Sequence, residues 1–259
     1  MSDNFDLSGK VVLVTGGNGG IGLGMAGAMA RAGARIAIWG TNADKNNAAV
    51  EILSADAEAE AWTCNVADPD EVNRTMAATL GRFGRLDGCF ANAGVTGRVP
   101  GGFLEITPAE WRRVLAVNLD GVFHTYQAAT RHMVERAEAG DPGGRLVAVS
   151  SLASVSGAAR NEHYAASKGA LNAMTYALAV EFARYGITAN AILPGWIETD
   201  MTEGLIANEK FAQAAGGRIP ARRWGRPEDF GGIATYLMSD ASAYHTGQLL
   251  QIDGGYWRF

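Results

Sequence analysis

The sequence has few of the residues that usually form disulfides or metal sites. It contains 2 cysteines and 4 histidines among 259 residues. Cys64 and Cys89 lie in apolar stretches, with no CxxC spacing and no group of histidines nearby. Because isolated cysteines in apolar surroundings are usually core residues, we expect two buried free thiols and no metal.

Charged residues are also scarce, at 19% of the chain. The 27 acidic residues outnumber the 22 lysines and arginines, which gives a formal net charge of −5. Nucleic-acid-binding surfaces are normally basic, and no dense basic run is present, so we expect no nucleic-acid partner. The small acidic excess needs no explanation beyond solubility.

Long apolar runs are missing, and none approaches the roughly 20 residues that a helix needs to cross a bilayer. The first ten residues lack the basic start and apolar centre of a secretory signal. We therefore expect a cytoplasmic protein with no membrane partner. The hydrophobic fraction, 47% of 259 residues, is enough for one domain with a sizeable core.

Short apolar strands alternate with helical stretches along most of the chain. The predicted strands are residues 10–15, 35–39, 59–66, 86–91, 145–150, 188–193 and 248–252. The predicted helices are residues 21–32, 43–55, 69–83, 108–137, 164–185 and 227–238. Such alternation is typical of a parallel sheet covered by helices on both faces. It predicts an α/β fold class, a single-domain Rossmann-like doubly wound parallel sheet over residues 1–259.

The alternation breaks after Pro194 and Gly195. Residues 196–223 contain helix-forming stretches and the glycine pair Gly216-Gly217, but no convincing strand. We interpret this segment as an insertion over one edge of the sheet.

Glycines crowd the junction between the first strand and the first helix, at positions 16, 17, 19, 20, 22 and 24. Backbone amides at a helix N-terminus attract anions, and glycine lets a pyrophosphate approach without a Cβ in the way. The pattern G-x-G-x-x-G fits this turn in two registers, so its position after the first strand is the better indication of a dinucleotide site. No Gly-Lys-Ser/Thr follows, which disfavours a phosphate-loop NTPase, whereas a methyltransferase stays possible on this turn alone.

Further motifs follow in order along nearly the whole chain. They are Thr15-Gly16-x-x-x-Gly20-Ile21-Gly22, Ala91-Asn92-Ala93-Gly94, Val117-Asn118, Ser150-Ser151, Tyr164-Ala165-Ala166-Ser167-Lys168 and Pro194-Gly195. Together they resemble the TGxxxGIG, NNAG, helix-asparagine, catalytic-serine, YxxxK and PG motifs of the short-chain dehydrogenase/reductase family. Two positions depart from the family pattern. Ala91 replaces the first Asn of NNAG, and Asn65 stands where the family usually has an Asp beside the adenine.

The resemblance implies an NAD(P)-dependent oxidoreductase that interconverts a secondary alcohol and a ketone by hydride transfer. It implies that Ser151 hydrogen-bonds the substrate oxygen, that Lys168 also binds the nicotinamide ribose, and that Asn118 positions a water that relays protons to Lys168. Besides Tyr164 and Lys168, the cofactor-binding positions that it implies are Gly16, Asn18, Gly19, Gly20, Ile21, Gly40, Thr41, Asn42, Asn65, Val66, Asn92, Ala93, Gly94, Pro194, Gly195, Ile197 and Thr199. Trp196 joins Ser151 and Tyr164 as a candidate substrate contact, and the insertion would cover the substrate.

Tyr164 and Lys168 also indicate this chemistry on their own. They are four residues apart on a predicted helix, so their side chains lie on one face. A tyrosine hydroxyl titrates near ~10 and is a poor base at neutral pH unless a cation stabilises the phenolate, which Lys168 can do. Tyr164 would then exchange a proton with the substrate oxygen, and no metal is needed to polarise a carbonyl.

The end of the second strand, Gly40-Thr41-Asn42, carries no acidic residue. An acid at this place would bind the ribose of NAD and repel the 2′-phosphate of NADP. No arginine follows that would recognise the phosphate strongly. Thr41, Asn42 and Lys45 could bind it, or Lys45 could be a solvated helix residue. The sequence leans towards NADP and leaves NAD open.

The segment that precedes the tyrosine, residues 158–163, is polar for a region that borders the substrate. A sugar or polyol would suit it, although these side chains could instead face water or a subunit interface. An alternative enzyme is a 3-oxoacyl thioester reductase, which would need a basic patch for its acidic carrier; the candidates are Arg98, Arg160, Arg222 and Arg223. An alternative of another class is a catalytically silent dinucleotide-binding regulator, against which the intact Ser151, Tyr164 and Lys168 argue.

The resemblance also implies a homotetramer with two-fold symmetry. One interface would use the helices over residues 111–137 and 164–185, and another would use residues 227–259. The tail Tyr256-Trp257-Arg258-Phe259 has three aromatic residues, which would form an apolar patch if they stayed in water. It could pack on its own domain or across a two-fold interface.

Overall fold

A parallel sheet of seven strands forms the centre of the computed structural model, which describes residues 4–258. The strands are β1 Val11–Thr15, β2 Arg35–Gly40, β3 Ala59–Thr63, β4 Gly88–Ala91, β5 Gly144–Val149, β6 Ile187–Pro194 and β7 Leu249–Ile252. Their order is β3-β2-β1-β4-β5-β6-β7, and every neighbouring pair is parallel. The order changes direction between β1 and β4, and ligands of open α/β sheets bind at such a switch point.

Helices cover the two faces of the sheet. They are α1 Gly20–Arg31, α2 Ala43–Leu53, α3 Pro69–Phe83, α4 Pro108–Leu115, α5 Gly121–Glu138, α6 Ala153–Ser156, α7 Glu162–Glu181, α8 Glu203–Ile206, α9 Glu209–Arg218 and α10 Gly231–Met238. A π turn, Ala116–Asp120, joins α4 to α5. None of the helices in the described part of the chain is long and apolar enough to span a membrane.

Two apolar clusters lie on opposite sides of the sheet, because successive side chains of a strand point to opposite faces. Leu13 and Cys89 pack on the side of α3, α5 and α7, whereas Val12, Val14 and Phe90 pack on the side of α1 and α10. Strands buried on both faces are typical of a parallel sheet. The predicted fold class is confirmed.

Both cysteines are free and buried, as expected. Burial raises the pKa of the Cys89 thiol, so this group stays protonated. No group of three His, Cys, Asp or Glu residues within residues 4–258 is arranged to hold a metal ion.

Several predicted boundaries are wrong. The strand expected over residues 59–66 ends at Thr63, where its pairing with β2 stops, so Asn65 and Val66 lie beyond it. The single helix expected over residues 108–137 contains the π turn, in which the Gly121 amide donates to Ala116 O, five residues back. The helix expected over residues 164–185 begins two residues earlier, at Glu162, and ends at Glu181. The helix expected over residues 227–238 begins as a 3₁₀ turn, Pro227–Phe230.

The segment after β6 contains the two short helices α8 and α9, which agrees with the expectation of helices without a strand. Its one β-type contact in the described residues is a bridge between Ile197 and Gly225. The Ala221 amide also donates to Gly254 O (3.1 Å), so the segment is anchored to the chain that follows β7.

Candidate active site

The glycine turn after β1 leaves the start of α1 open to an anion. Gly16 and Gly20 have φ angles of 61° and 49°, in the left-handed region that favours glycine. The N-cap residue of α1 is Gly19, no side chain caps this end, and no acidic residue lies in its first turn. Nothing lies within 4 Å of the position that a Cβ of Gly19 would take. Backbone amides at a helix N-terminus without a side-chain cap fit a dinucleotide pyrophosphate.

The turn is tied to the end of β4. Asn92 Nδ2 donates to Thr15 O and Gly16 O, each at 3.0 Å. The amides of Asn92 and Ala93 both donate to Thr15 Oγ1 at 3.1 Å. A Cβ on Gly22 would overlap Gly16 O. The predicted residues of these two motifs are therefore brought together, with Ile21 half-buried in the first turn of α1.

Two amide side chains cover the end of β2. Asn18 Nδ2 donates to Asn46 Oδ1 (2.7 Å), and Asn46 Nδ2 donates to Gly40 O (3.0 Å). A Cβ at Gly40 would lie 2.8 Å from Asn18 Cγ, so a larger residue here would displace the Asn18 side chain. The sequence analysis missed Asn46, because a buried polar residue in the middle of an Ala-rich helix belongs to no motif.

The remaining residues on the predicted adenine side are mostly engaged. Asn42 Oδ1 accepts from the Lys45 amide (2.9 Å) and caps α2, while Thr41 is exposed. Lys45 Nζ lies 2.5 Å from Asp200 Oδ2, so Lys45 is in an ion pair rather than merely solvated. Asn65 Oδ1 accepts from the Ala67 amide (3.2 Å). Val66 is buried against Gly121, where a Cβ would lie 2.7 Å from Val66 Cγ2.

The end of β6 and the residues that follow it lie beside the glycine turn. The Gly195 amide donates to Ile252 O (3.0 Å), and the Leu152 amide donates to Pro194 O (3.1 Å). Thr199 lies over the turn, with its Cγ2 3.1 Å from the position of a Cβ on Gly20. Ile197 is buried at the bridge to Gly225.

The predicted Ser-Tyr-Lys set meets behind the carboxyl end of β5. Lys168 Nζ donates to Val149 O (2.7 Å), and Ser150 Oγ donates to Lys168 O (2.9 Å), which fixes α7 against the strand. Lys168 Nζ lies 5.7 Å from the centre of the Tyr164 ring. Ser151 follows β5, and its Oγ accepts from the Ala153 amide (3.1 Å).

Burial is the main cause of the pKa shifts of Lys168 and Tyr164. Desolvation lowers the pKa of Lys168 to about 8. Desolvation also raises the pKa of Tyr164, and the Ser151 hydroxyl opposes this rise only in part. The raised pKa keeps Tyr164 protonated at neutral pH.

Asn118 is fully buried in the π turn, and its amide is engaged. Nδ2 donates to Val95 O (2.9 Å) and Ser167 Oγ (3.1 Å), and Oδ1 accepts from the Val95 amide (2.8 Å). A Cβ on Gly94 would lie 3.3 Å from Asn118 Oδ1 and 3.4 Å from Lys168 Nζ, so the three residues are neighbours. Both amide protons are used within the protein. A water at Asn118 would therefore have to donate to an oxygen of this residue.

Trp196 lies in an aromatic cluster. Within the described residues, none of its ring contacts is with Tyr164. Its ring packs edge-on against Phe211 (5.2 Å between ring centres) and Tyr256 (6.4 Å), and tilted against Trp224 (5.6 Å). It also lines a cavity of about 200 Å³ with residues that include Ala221, Asp253 and Gly254. The cluster joins α9 to the C-terminal tail, a link that sequence spacing does not reveal.

Comparison with known proteins gives consistent matches along the chain. A family profile described as Enoyl-(Acyl carrier protein) reductase matches residues 16–257. The 5-keto-D-gluconate 5-reductase of Escherichia coli strain K12 is 39% identical over 256 residues, covering 98% of each chain. The gluconate 5-dehydrogenase of Gluconobacter oxydans is 36% identical, covering 98% of this chain and 96% of that one. The crystal structure of a gluconate 5-dehydrogenase from Burkholderia cenocepacia with NADP and tartrate is 34% identical with a TM-score of 0.90, covering 99% of this chain and 98% of that one.

The chain belongs to the short-chain dehydrogenase/reductase family. Sequence identities of 36% and 39% to a dehydrogenase and a reductase, each over 98% of this chain, confirm the predicted family together with the family profile. The protein is thus an NAD(P)-dependent oxidoreductase that interconverts a secondary alcohol and a ketone. The alternative of a non-enzymatic dinucleotide-binding regulator is not supported.

Replacing Lys168 by Met removes a buried charge and should stabilise the ligand-free fold at neutral pH by about 1 kcal/mol or more. The pKa of Lys168 is about 8 in the folded protein and 10.5 in its ordinary state, so unfolding takes up a proton between these pH values. The wild-type free energy of unfolding should therefore rise between about pH 8 and 10. Lys168→Met should lack this rise, whereas a control variant of the exposed Lys210, Lys210→Met, should keep it. Urea unfolding at several pH values measures both slopes, and equal slopes for wild type and Lys168→Met would contradict the assignment.

Proposed function

We propose that this enzyme interconverts a gluconate-type sugar acid and the corresponding keto acid, with Tyr164 as the proton-transfer residue. The observation that carries the proposal is the proximity of Tyr164 to both Lys168 and the Ser151 hydroxyl behind β5, in a chain similar over 98% of its length to a 5-keto-D-gluconate 5-reductase. The concentrations of the sugar acid, the keto acid and the two cofactor forms would set the direction of the reaction in the cell.

Each side chain of the set has a separate part in the proposed reaction. Ser151 hydrogen-bonds the reacting oxygen, and Tyr164 gives it a proton during reduction and takes it back during oxidation. The bound NAD(P) supplies or accepts the hydride. Tyr164 is protonated at neutral pH because desolvation raises its pKa, which suits proton donation to a carbonyl. Lys168 binds the nicotinamide ribose and, with a pKa of about 8, can return a proton to the tyrosine.

A polar wall beside the catalytic set supports a hydroxylated, acidic substrate. The loop after β4 and the loop before α7 are joined, because the Val99 amide donates to Arg160 O (2.9 Å) and Asn161 Nδ2 donates to Thr96 Oγ1 (2.8 Å). Arg160 has a φ angle of 67°, a left-handed conformation that is rare outside glycine. The Arg160 amide donates to Glu162 Oε1 (3.0 Å), but within the described residues neither the Arg98 nor the Arg160 guanidinium is in an ion pair, so either is free to bind a carboxylate.

The cofactor assignment extends to the adenine side. We infer that NADP is preferred, with NAD still accepted, because Gly40-Thr41-Asn42 at the end of β2 contains no acid and a relative of this chain was crystallised with NADP. The glycine turn, the ends of β2 and β4 and the Pro194-Gly195 segment would hold the dinucleotide. The insertion over residues 196–223 would cover the substrate, with the aromatic cluster around Trp196 fixing its position.

A 3-oxoacyl thioester reductase is the second candidate, favoured by the acyl-carrier description of the matching family profile. Of the four arginines expected in its basic patch, only Arg223 is in an ion pair within the described residues. Arg223 is bound by Asp229 through contacts of 2.6 and 2.8 Å, and Arg222 donates to Gly217 O (3.2 Å). The gluconate-type substrate is favoured instead by the similarity of this chain, over nearly its full length, to a 5-keto-D-gluconate 5-reductase and a gluconate 5-dehydrogenase.

We also infer a homotetramer in the cytoplasm, where NAD(P)H is supplied. Apolar side chains remain exposed on the long helices: Phe123 on α5 is 49% exposed, and Tyr176 and Val180 on α7 are 49% and 82% exposed. Tyr176 and Val180 are four residues apart and share one helix face. In the tail, Tyr256 packs on its own chain, 4.5 Å from the Arg218 guanidinium, and Trp257 is 39% exposed. Phe259 lies outside the described residues.

Replacing Tyr164 by Phe should lower turnover of 5-ketogluconate by about 100-fold or more, because the acid–base hydroxyl is lost while the ring is kept. The dissociation constant for NADPH should change by less than threefold. Steady-state kinetics measure the turnover, and cofactor fluorescence measures the dissociation constant for NADPH. Wild-type enzyme should prefer 5-ketogluconate to acetoacetyl thioesters and to uncharged ketoses. Turnover of Tyr164→Phe within threefold of wild type would refute the role of Tyr164, and a preference for thioesters would refute the substrate.

Replacing Val180 by Glu should split the proposed tetramer into dimers, because the charge would have to be buried in one of the two interfaces. Light scattering should give four subunits for wild type and two for Val180→Glu. Glu181→Gln, one residue further along α7, serves as the control and should remain tetrameric. A monomeric wild type, or an unchanged mass for Val180→Glu, would contradict the proposed interface.

A further inference from the structure

An ion pair on α4 lies next to the candidate active site and has no part in the chemistry described so far. Thr107-Pro108-Ala109-Glu110 has the spacing of a capping box, in which the glutamate would turn back to the N-cap backbone. Thr107 Oγ1 does accept from the Glu110 amide (3.1 Å). The Glu110 carboxylate instead accepts two hydrogen bonds from Arg113, from Nε and NH2, each at 2.8 Å.

This ion pair holds the loop that follows β4. Arg113 NH2 also donates to Thr96 O (3.1 Å). Gly97 provides the necessary space, because a Cβ there would overlap Glu110 Oε1 and lie 2.7 Å from Arg113 NH2. Any side chain at position 97 would therefore displace the pair from the loop.

The same carboxylate reaches the start of α7. His163 Nε2 lies 3.4 Å from Glu110 Oε1, and the imidazole is fully buried. His163 Nδ1 has no hydrogen-bond partner among the described residues, so Glu110 is the polar contact of this ring. Hydrogen bonds from Arg113 are the main cause that lowers the pKa of Glu110 to about 2, and the carboxylate is therefore ionised at working pH.

Tyr164 lies between two contacts that α7 makes with the α4–α5 helix pair. His163 and Ser167 are four residues apart, so they lie on one face of α7, on either side of Tyr164 along the chain. Ser167 Oγ accepts from Asn118 Nδ2 (3.1 Å), and Asn118 also holds Val95. We call Glu110, Arg113 and His163 the Glu110 clamp. The clamp makes the same kind of link one turn earlier on α7, and it holds Thr96 as Asn118 holds Val95.

We infer that the Glu110 clamp positions Tyr164, by fixing the start of α7 and the loop after β4 to the same carboxylate. The inference rests on the proposed role of Tyr164. The clamp adds little to the free energy of unfolding, because the Glu110 and Arg113 side chains are 26% and 46% exposed and ion pairs at such exposure contribute little. Its effect is on geometry, because a misplacement of about 1 Å of a catalytic group can cost up to ~100-fold in rate.

The test compares Glu110→Ala, His163→Ala and the double variant in full-length enzyme, assayed well below the lowest midpoint of thermal unfolding. Each single variant should lower kcat by about tenfold, with the dissociation constant for NADPH within threefold of wild type. The double variant should be no slower than the slower single one, because the two residues act through one contact. His163→Gln, which keeps an Nε2 donor, should recover kcat to within about threefold of wild type.

Two controls separate this inference from the proposed function. Arg112→Ala removes an exposed neighbour on α4 and should leave kcat unchanged. Tyr164→Phe in the same assay reports on the proposed function alone, and retained turnover there would refute that proposal first. Given a slow Tyr164→Phe, the clamp is refuted if Glu110→Ala keeps kcat within twofold of wild type. It is also refuted if the effects at 110 and 163 multiply, or if His163→Gln is as slow as His163→Ala.

Discussion

The buried ammonium group of Lys168 is the constraint on which the arrangement of the site depends. A charge in the interior needs a partner, and Lys168 Nζ finds Val149 O at 2.7 Å, at the very end of β5. This bond, with the one from Ser150 Oγ to Lys168 O, sets the register of α7 against the sheet. Tyr164 and Ser151 then meet because Tyr164 lies a helical turn before Lys168 and Ser151 is the second residue after the strand.

Much of the fold and of this constellation can be predicted from the sequence, because the signals are local. Apolar strands that alternate with helices indicate a parallel sheet, and the carboxyl ends of its strands collect the motif residues at one edge. The π turn at Asn118 and the early end of β3 could not be predicted. Both depend on tertiary contacts. Asn118 accepts a hydrogen bond from the Val95 amide, and the pairing between β2 and β3 stops at Thr63.

Residues that act through other residues were also beyond sequence reasoning. Asn46 and His163 are buried polar side chains whose partners, Asn18 and Glu110, are distant in the chain. Glu110 has a capping-box spacing, yet its carboxylate bonds Arg113 instead. The common chemistry therefore lies in contiguous motifs, whereas the residues that orient it are scattered and become visible only when the helices are packed.

The central claim is that burial raises the pKa of Tyr164, which keeps this side chain protonated at neutral pH, and lowers the pKa of Lys168. Ultraviolet titration of tyrosinate in wild type and Tyr164→Phe, without cofactor, tests this most directly. We expect the two titrations to coincide up to about pH 10, the ordinary tyrosine value. An additional tyrosine that ionises in wild type below about pH 9, and is missing from Tyr164→Phe, would contradict the account.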